Sequence, residues 1–191
     1  LRLCISLDER IRQDPMYELH SHYGTPGWVS DPIIQRATYS AEGLSLANFN
    51  KEIFGKSLSC FNCPMHCSHW YESKEGKYKG NMGDGLEADA VNRGALLGVY
   101  KTDFVAKYNT LCNQLGMNVD QPGTAIRWAI DLYKNGLITK EDTDGVELTL
   151  GDEDTILSMV RKIAYKEGFG DVLDGYPLMA AEKLGRGSET Y

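Results

Sequence analysis

The amino-acid sequence predicts a mainly α fold, an irregular multi-helix domain with a small β-ribbon after a cysteine motif. Apolar residues recur at helical spacing along most of the chain, glycines stand where these patterns stop, and a weakly alternating stretch follows three close cysteines. With 191 residues and 42% hydrophobic residues, the chain can bury a sizeable core. We expect a single helical domain over residues 1–191, from the middle of a longer polypeptide, because the sequence opens on Leu1 rather than Met.

The first elements are expected to be helices separated by turns. The pattern is helical from Leu1 to about Arg36, and Pro15 and the turn residues 24–27 interrupt it. A short helical run from Lys51 to Lys56 is predicted to lead the chain to the cysteines. The cysteine motif itself then falls on a loop at residues 59–70.

A small β-ribbon is expected directly after that loop. Residues 69–82 alternate weakly between apolar and polar side chains, and Ser73–Gly76 has the composition of a hairpin turn. The two strands of the ribbon would contain Trp70-Tyr71 and Lys77-Tyr78.

Helices are predicted for most of the remaining chain. Polar residues that suit a helix start and glycines that suit a helix end mark their limits, as at Thr102, Gly116, Asp120 and Gly136. The expected helices run from about 86 to 97, 102 to 115, 120 to the stop at 136, 152 to 166, and 171 to 184.

The net charge and the hydropathy pattern argue against two classes of function. A formal net charge of −7 disfavours an extended nucleic-acid surface, because phosphate binding needs a surplus of Lys and Arg on one face. No run of about 18 or more apolar residues occurs, so we expect no membrane span. The first residues lack the basic, apolar, small-residue order of a signal peptide, and a cytoplasmic protein is therefore expected.

Three of the five cysteines give the strongest functional signal in the sequence. Cys60, Cys63 and Cys67 form a C-x2-C-x3-C run, whose short spacers let three thiolates converge on adjacent irons of one [4Fe-4S] cluster. An odd number of cysteines, with three of them packed into eight positions, makes a poor disulfide framework. We therefore predict that these three thiolates are metal ligands.

Other uses of the cysteines remain open. Zinc is the main alternative, because Cys60 and Cys63 form a zinc-like pair and His66 or His69 could add a nitrogen ligand, although no second pair stands at the usual distance. Inert buried cysteines are a third interpretation. The fourth cluster ligand is expected from outside this sequence; Cys112 is the alternative, but its apolar helix suits a small core residue. For both histidines we expect a structural or solvent-facing role.

Short motifs along nearly the whole chain occur in an order and at intervals known from one enzyme family. They are Tyr23–Gly27 (YGTPG), Leu46–Phe49 (LANF), Cys60–Cys67 (CFNCPMHC), Gly85–Asp89 (GLEAD), Leu111–Asn118 (LCNQLGMN), Thr124–Ile130 (TAIRWAI) and Gly136–Ile138 (GLI). This arrangement resembles the aldehyde ferredoxin oxidoreductases, in which two pterin dithiolenes hold tungsten beside a [4Fe-4S] cluster. The segment is similar to the family's middle helical domain, which implies that the fourth cluster cysteine comes from a later part of the chain.

The resemblance also implies roles for single residues. Glu87 matches an acidic residue at the mouth of the metal site, where a carboxylate can shuttle a proton as substrate carbon is oxidised or reduced. Asp89 takes the second acidic place of that motif, where we expect it to stabilise a helix N-terminus. Asn113, Gly116 and Asn118 match the pterin-binding motif, but asparagines replace carboxylates that accept two hydrogen bonds from the pterin. Gly116 also suits a helix C-cap.

The function that the resemblance implies is that of a tungsten- or molybdenum-pterin and [4Fe-4S] dependent oxidoreductase. Its expected reaction converts an aldehyde to a carboxylic acid, and its electrons pass through the cluster to ferredoxin or an electron-transfer subunit, in an oligomeric assembly. An aromatic acyl-CoA reductase of the same family is one alternative. A non-catalytic iron-sulfur electron-transfer module and a zinc-stabilised helical interaction domain are two others.

Overall fold

The computed structural model describes residues 41–44, 46–58, 60–62, 68–86 and 88–190, so the helices predicted before residue 41 lie outside the described residues. Within them the chain forms seven α-helices, three β-strands and two short 3-10 turns, at Ala41–Leu44 and Ser188–Thr190. The helices are α1 (Leu46–Glu52), α2 (Ala88–Leu96), α3 (Thr102–Gln114), α4 (Asp120–Lys134), α5 (Glu153–Tyr165), α6 (Phe169–Val172) and α7 (Pro177–Leu184), and the strands are β1 (Phe54–Leu58), β2 (Ser68–Glu72) and β3 (Met82–Leu86). The mainly α prediction is therefore confirmed.

The chain divides into two compact units. The first contains the described residues up to Ala95 together with Tyr100–Thr110, and the second contains Leu96–Val99 and the residues from Leu111 onward. The interpretation of residues 1–191 as one helical domain stays a prediction.

The first unit is built on a three-stranded antiparallel sheet in the order β1-β2-β3. Two predictions for this part of the chain were wrong. Residues Lys51 to Lys56 are not one helical run, because α1 ends at Glu52 and Phe54 begins β1. Lys77 and Tyr78 lie in the turn after β2, and the second partner of β2 is Met82–Leu86 instead.

Both pairings in this sheet contain a β-bulge. Between Phe54↔Tyr71 and Lys56↔Trp70, β1 carries one more residue than β2, and a Cβ at Gly55 would lie 2.1 Å from the Trp70 ring. Between Tyr71↔Gly83 and His69↔Leu86, β3 carries the extra residue, next to Gly85 with a φ of 70°. Glycine suits both places because a bulge needs either close approach or a left-handed backbone.

A buried polar network joins β2 and β3 to α3. The Tyr71 hydroxyl lies 2.7 Å from the Thr110 hydroxyl, and the Asn109 amide donates to Tyr71 at 3.1 Å and to the Asp84 carbonyl at 3.1 Å. The side chains of Tyr71, Asn109 and Thr110 are all buried, so each hydrogen bond replaces one that water would otherwise make. The apolar core of this unit includes Phe49, Ile53, Leu86, Val91, Phe104, Val105, Ala106 and Tyr108.

The second unit is helical, and local capping defines its elements. Asp152 accepts the Thr155 N–H at 3.1 Å and so caps the start of α5. Helices α3, α4 and α5 each end in the same paired backbone hydrogen bonds around one residue with positive φ, which is Gly116, Gly136 or Lys166. The core of this unit consists of Leu111, Ala125, Ile126, Ala129, Leu132, Ile156, Met159, Val160, Ile163, Phe169 and Leu173.

Among the helices of the described chain, none is both long and apolar enough to cross a membrane.

Candidate functional site

The predicted cluster loop is the connection between two paired strands. β1 ends at Leu58 and β2 begins at Ser68, and these two residues are partners in the antiparallel pairing. The sheet therefore holds both ends of the cysteine-containing connection side by side. Cys60 follows β1 by two residues, while Cys63 and Cys67 lie outside the described residues.

The first residues of this connection project into solvent. The Cys60 thiol is free and exposed, and the side chain of Phe61 is 103% exposed. Asn62 has a φ of 57°, a left-handed conformation that asparagine tolerates better than most residues. Within the part of the chain that is described, no three His, Cys, Asp or Glu side chains converge to hold a metal ion. Cys60 alone of the three predicted ligands can be located, and its exposed thiol suits a cluster ligand.

The strand order brings two predicted functional segments to the same end of the sheet. Antiparallel pairing puts the end of β1 at Leu58, the start of β2 at Ser68 and the end of β3 at Leu86 at the same end of the sheet. Neighbouring strands lie about 5 Å apart, so the Leu58 and Leu86 backbones are separated by about 10 Å. Glu87 lies outside the described residues, but it directly follows Leu86.

His69 is the polar residue buried at this end of the sheet. Its side chain has 0% exposure, and its Nδ1 lies 3.1 Å from the Leu86 carbonyl oxygen. The Phe49 ring meets the imidazole edge-on at a centroid distance of 5.7 Å, and the Phe54 ring lies at the same distance. Burial lowers the pKa of His69, and the hydrogen bond to Leu86 only partly opposes this effect. The imidazole is therefore neutral near pH 7.

The neutral tautomer of His69 follows from its partner. A carbonyl oxygen only accepts, so Nδ1 carries the proton and Nε2 is an acceptor. Nε2 is buried and has no hydrogen-bond partner among the described residues. His69 thus takes the structural role expected from the sequence, although neither its partner nor its tautomer was predicted.

The three predicted pterin contacts lie close together in sequence, with Asn113 in the last turn of α3 and Gly116 and Asn118 in the connection between α3 and α4. Gly116, with a φ of 68°, forms the C-cap of α3, and no atom outside its neighbours lies within 4 Å of its would-be Cβ. Asn118 accepts the Asp120 N–H at 2.6 Å and so helps to start α4. Asn113 and Asn118 are both exposed. The end of α3 and the connection after it therefore each present one asparagine side chain to solvent, on the two sides of an open glycine.

Two secondary expectations can also be located. Cys112 is fully buried on α3, which agrees with a small core residue. Asp89 is exposed in the first turn of α2, where a carboxylate stabilises the helix N-terminus.

The polar network of Tyr71, Asn109 and Thr110 was missed by the sequence analysis. Its members are separated by up to 39 residues, and no local pattern connects them.

Comparison with known proteins gives a consistent family. The family model described as "Aldehyde ferredoxin oxidoreductase, domains 2 & 3" matches residues 2–191. An aliphatic sulfonate oxidoreductase, WOR-like subunit, of Pyrococcus furiosus is 30% identical over 159 residues, which cover 81% of this chain and 25% of that protein. A tungsten-containing aldehyde ferredoxin oxidoreductase of Pyrococcus horikoshii is 32% identical over 135 residues, covering 68% of this chain and 21% of that protein.

A solved structure supports the fold. The active site complex BamBC of benzoyl coenzyme A reductase, in complex with 1,5-dienoyl-CoA, superimposes with a TM-score of 0.67 over 95% of this chain and 27% of that chain, at 16% identity. The chain spans about a quarter of the length of the relatives that it matches. The match of the family model over residues 2–191 nevertheless covers almost every residue, and the chain belongs to the aldehyde ferredoxin oxidoreductase family.

Proposed function

We propose that this chain is part of a tungsten- or molybdenum-pterin and [4Fe-4S] dependent oxidoreductase that converts an aldehyde to a carboxylic acid. The arrangement of the sheet is the observation that supports this most directly. The connection with Cys60, Cys63 and Cys67 leaves the sheet beside Leu86, the residue before Glu87. A one-electron relay and a proton-handling carboxylate would then share one end of a rigid element, as coupled electron and proton transfer requires.

The cysteines are proposed to hold the cluster. Cys60, Cys63 and Cys67 would each supply a thiolate, and the paired ends of their connection at Leu58 and Ser68 would limit the movement of the loop. The exposed Cys60 thiol, two residues before the left-handed Asn62, fits a ligand that reaches out of the sheet. The fourth ligand is proposed to come from another part of the longer polypeptide, because the buried Cys112 suits the core.

Glu87 is proposed as the group that moves protons. Oxidation of an aldehyde to a carboxylic acid takes an oxygen atom from water and releases two electrons and two protons. A carboxylate beside the reacting carbon can accept one of these protons. The metal-pterin centre and the cluster, when bound, would supply the two-electron and one-electron redox chemistry. Glu87 itself only accepts and releases a proton.

In the second unit, Asn113, Gly116 and Asn118 are proposed to contact the pterin. Gly116 leaves open space at its Cα, so a flat ring system could approach the backbone closely. The Asn118 oxygen already accepts the Asp120 N–H, which leaves its amide N–H groups as the donors for a pterin carbonyl. This differs from a carboxylate, which would only accept.

The remaining parts of the proposal concern partners and location. Ferredoxin or an electron-transfer subunit is proposed as the electron acceptor, in an oligomeric cytoplasmic enzyme without a nucleic-acid partner. An aliphatic sulfonate is a second candidate substrate, because a relative with that name matches 81% of this chain at 30% identity. The aromatic acyl-CoA alternative is weaker, since the benzoyl coenzyme A reductase complex shares 16% identity and supports the fold alone.

The proposal is tested on the full-length enzyme, purified anaerobically. We expect about four irons per cluster, an EPR signal after dithionite reduction, and tungsten or molybdenum by elemental analysis. Turnover is then measured with a one-electron dye against aliphatic and aromatic aldehydes, an aliphatic sulfonate and an aromatic acyl-CoA. Aldehyde turnover supports the main proposal, sulfonate turnover supports the second candidate, and zinc without iron would contradict both.

Two variants assign the residues. Cys60→Ala should abolish the cluster EPR signal, whereas Cys112→Ala, the matched control, should retain it; loss of the cluster in Cys112→Ala would instead make Cys112 the fourth ligand. Glu87→Gln should keep iron and EPR signals while kcat falls by about 10²- to 10⁴-fold, the usual contribution of a positioned general base. Full activity in Glu87→Gln would remove the proton-transfer role.

A further inference from the structure

We propose that His69 is a positioning residue that fixes the end of β3 at Leu86, the residue before Glu87. This inference rests on the proposed function, because it assigns His69 to the site in which Glu87 moves protons. It is carried by one hydrogen bond across the sheet, from His69 Nδ1–H to the Leu86 carbonyl oxygen at 3.1 Å. No exchange of protons by His69 is involved.

The end of β3 needs such a bond because its regular pairing is interrupted. β3 has one residue more than β2 between the pairs Tyr71↔Gly83 and His69↔Leu86. Gly85 takes a φ of 70° inside this bulge, a conformation outside the ordinary strand region. A bulge bends its strand and redirects the side chains after it, so the described strand has one ladder pair beyond Gly85, His69↔Leu86, and side-chain contacts add to it.

Two side chains supply these contacts. On one side of the bulge, the buried Asn109 amide donates to the Asp84 carbonyl at 3.1 Å. On the other side, His69 donates to the Leu86 carbonyl. The extra residue is thus held between two side-chain hydrogen bonds, and the bond of His69 is the one adjacent to Glu87.

The imidazole is well suited to hold its partner in place. Its side chain has 0% exposure and packs against both Phe49 and Phe54, whose ring centroids are 5.7 Å away. A donor that cannot rotate away defines the position of the carbonyl that it binds. Because a displacement of about 1 Å can lower a reaction rate by about 10²-fold, fixing Leu86 matters for a proton-transfer group at the next residue.

Three substitutions in the full-length enzyme separate the hydrogen bond from the packing. His69→Phe keeps an aromatic ring against the two phenylalanines but has no hydrogen-bond donor. In His69→Asn the amide nitrogen stands two bonds from Cβ, as Nδ1 does, so the bond to Leu86 can be made again. His69→Gln puts the nitrogen one bond further out. We expect kcat to fall by about 10- to 100-fold in His69→Phe and His69→Gln, with KM changed by less than about threefold, and His69→Asn to restore most of kcat.

A second measurement does not depend on turnover. Hydrogen exchange of the peptide covering residues 82–90 should be faster in His69→Phe than in the wild type, and near the wild-type rate in His69→Asn, because the bond to Leu86 restrains this segment. The matched control is Thr102→Val, which removes another buried hydroxyl hydrogen bond of this unit, to Glu52. It should leave both kcat and the exchange of residues 82–90 unchanged.

The outcomes separate the two proposals. A wild-type enzyme without turnover on any of the substrates contradicts the proposed function, and the exchange data then still decide whether His69 fixes β3. Wild-type exchange and kcat in His69→Phe would overturn the positioning role. Equal losses in His69→Asn and His69→Phe would overturn it too, since the donor would then be irrelevant.

Discussion

The two units of this chain are stabilised in different ways. In the first, side chains far apart in sequence hold an irregular sheet, as in the bonds from Tyr71 to Thr110 and from His69 to Leu86. In the second, most helix ends are set by residues next to them, such as Asp152 before α5 and Gly136 after α4, while at the start of α6 the Phe169 N–H donates to the distant Asp144 carboxylate. Long-range polar contacts therefore specify the sheet of the unit with the proposed cluster ligands, and mainly local signals specify the helix limits of the second unit.

This difference indicates that the two types of contact serve different purposes. Bulges and buried hydrogen bonds can aim a few groups at one place, which a reaction site requires. Capped helices provide rigid packing with little need for buried polar groups. The following substitutions test whether each unit depends on the type of contact assigned to it.

The largest effect is expected at Gly170, in the second unit. A Cβ at this position would lie 2.3 Å from the Lys162 carbonyl carbon, and helix backbone cannot move aside as a side chain can. We expect Gly170→Ala to lower the free energy of unfolding by about 3 kcal/mol or more. Gly136→Ala is the control, because it has open space but a φ of 74°, and it should cost only about 1 kcal/mol. Urea denaturation of the purified protein measures both; equal costs would show that the close approach is not limiting.

A somewhat smaller effect is expected at Gly83 in the first unit. Its Cβ would lie 2.6 Å from the Tyr71 hydroxyl oxygen, which is fixed by the buried network. Gly83→Ala should therefore cost about 2 kcal/mol. Combining it with Tyr71→Phe removes the clashing oxygen, so the double variant should be more stable than the sum of the single costs predicts. Additive costs in this double-mutant cycle would contradict the proposed role of the network.

A stabilising change is expected at the end of α5. Lys166 has a φ of 55° at the same C-cap position that glycine occupies after α3 and α4. Lys166→Gly should raise the free energy of unfolding by about 1 kcal/mol, because glycine avoids the left-handed penalty. The lost ion pair to Asp174 is largely exposed and contributes little. Lys166→Ala removes the same pair without relieving the backbone, so it should not be stabilising; equal thermal midpoints for the two variants would refute this explanation.

The smallest effect concerns pH. The Arg186 guanidinium, together with the Thr139 N–H, lowers the pKa of Asp142 from 3.8 to about 2. A lowered folded-state pKa gives stability that is complete above the unfolded value and is lost as the pH falls from about 4 to about 2. Asp142→Asn should therefore melt slightly below the wild type at pH 7, and the gap should close near pH 2 and shrink at high salt. A gap that persists at pH 2 would indicate a different cause.

Sequence patterns predicted the helical unit well, for the physical reason that its signals are local. The expected stops at Gly116 and Gly136 are the observed C-caps, and the helix expected from 152 to 166 is Glu153–Tyr165. Two details differ. The single helix expected from 171 to 184 is instead two helices, α6 (Phe169–Val172) and α7 (Pro177–Leu184), and at the start of α4 Asn118 rather than Asp120 provides the side-chain acceptor.

The sheet could not be predicted in the same way. β1 (FGKSL) and β3 (MGDGL) lack clean alternation, and they are strands because β2 pairs with both of them. The cysteine spacing and the motif around Glu87 could be recognised in the sequence. That Leu58, Ser68 and Leu86 lie at the same end of the sheet could not, because it depends on the pairing of strands that are distant in sequence. His69 was expected to be structural, yet only the pairing with Leu86 reveals which backbone group it holds.

The pairing of Leu58 with Ser68 has a consequence for the assembly of the proposed cluster. In an unstructured peptide, three thiols must lose conformational freedom before they can bind the same ion, and this entropy opposes the first bond. Here the sheet has already closed the loop that bears them, so their effective concentration is high before any iron arrives. Cluster insertion would then follow folding of the hairpin, and a variant that frays β1 should slow iron incorporation even with every cysteine in place.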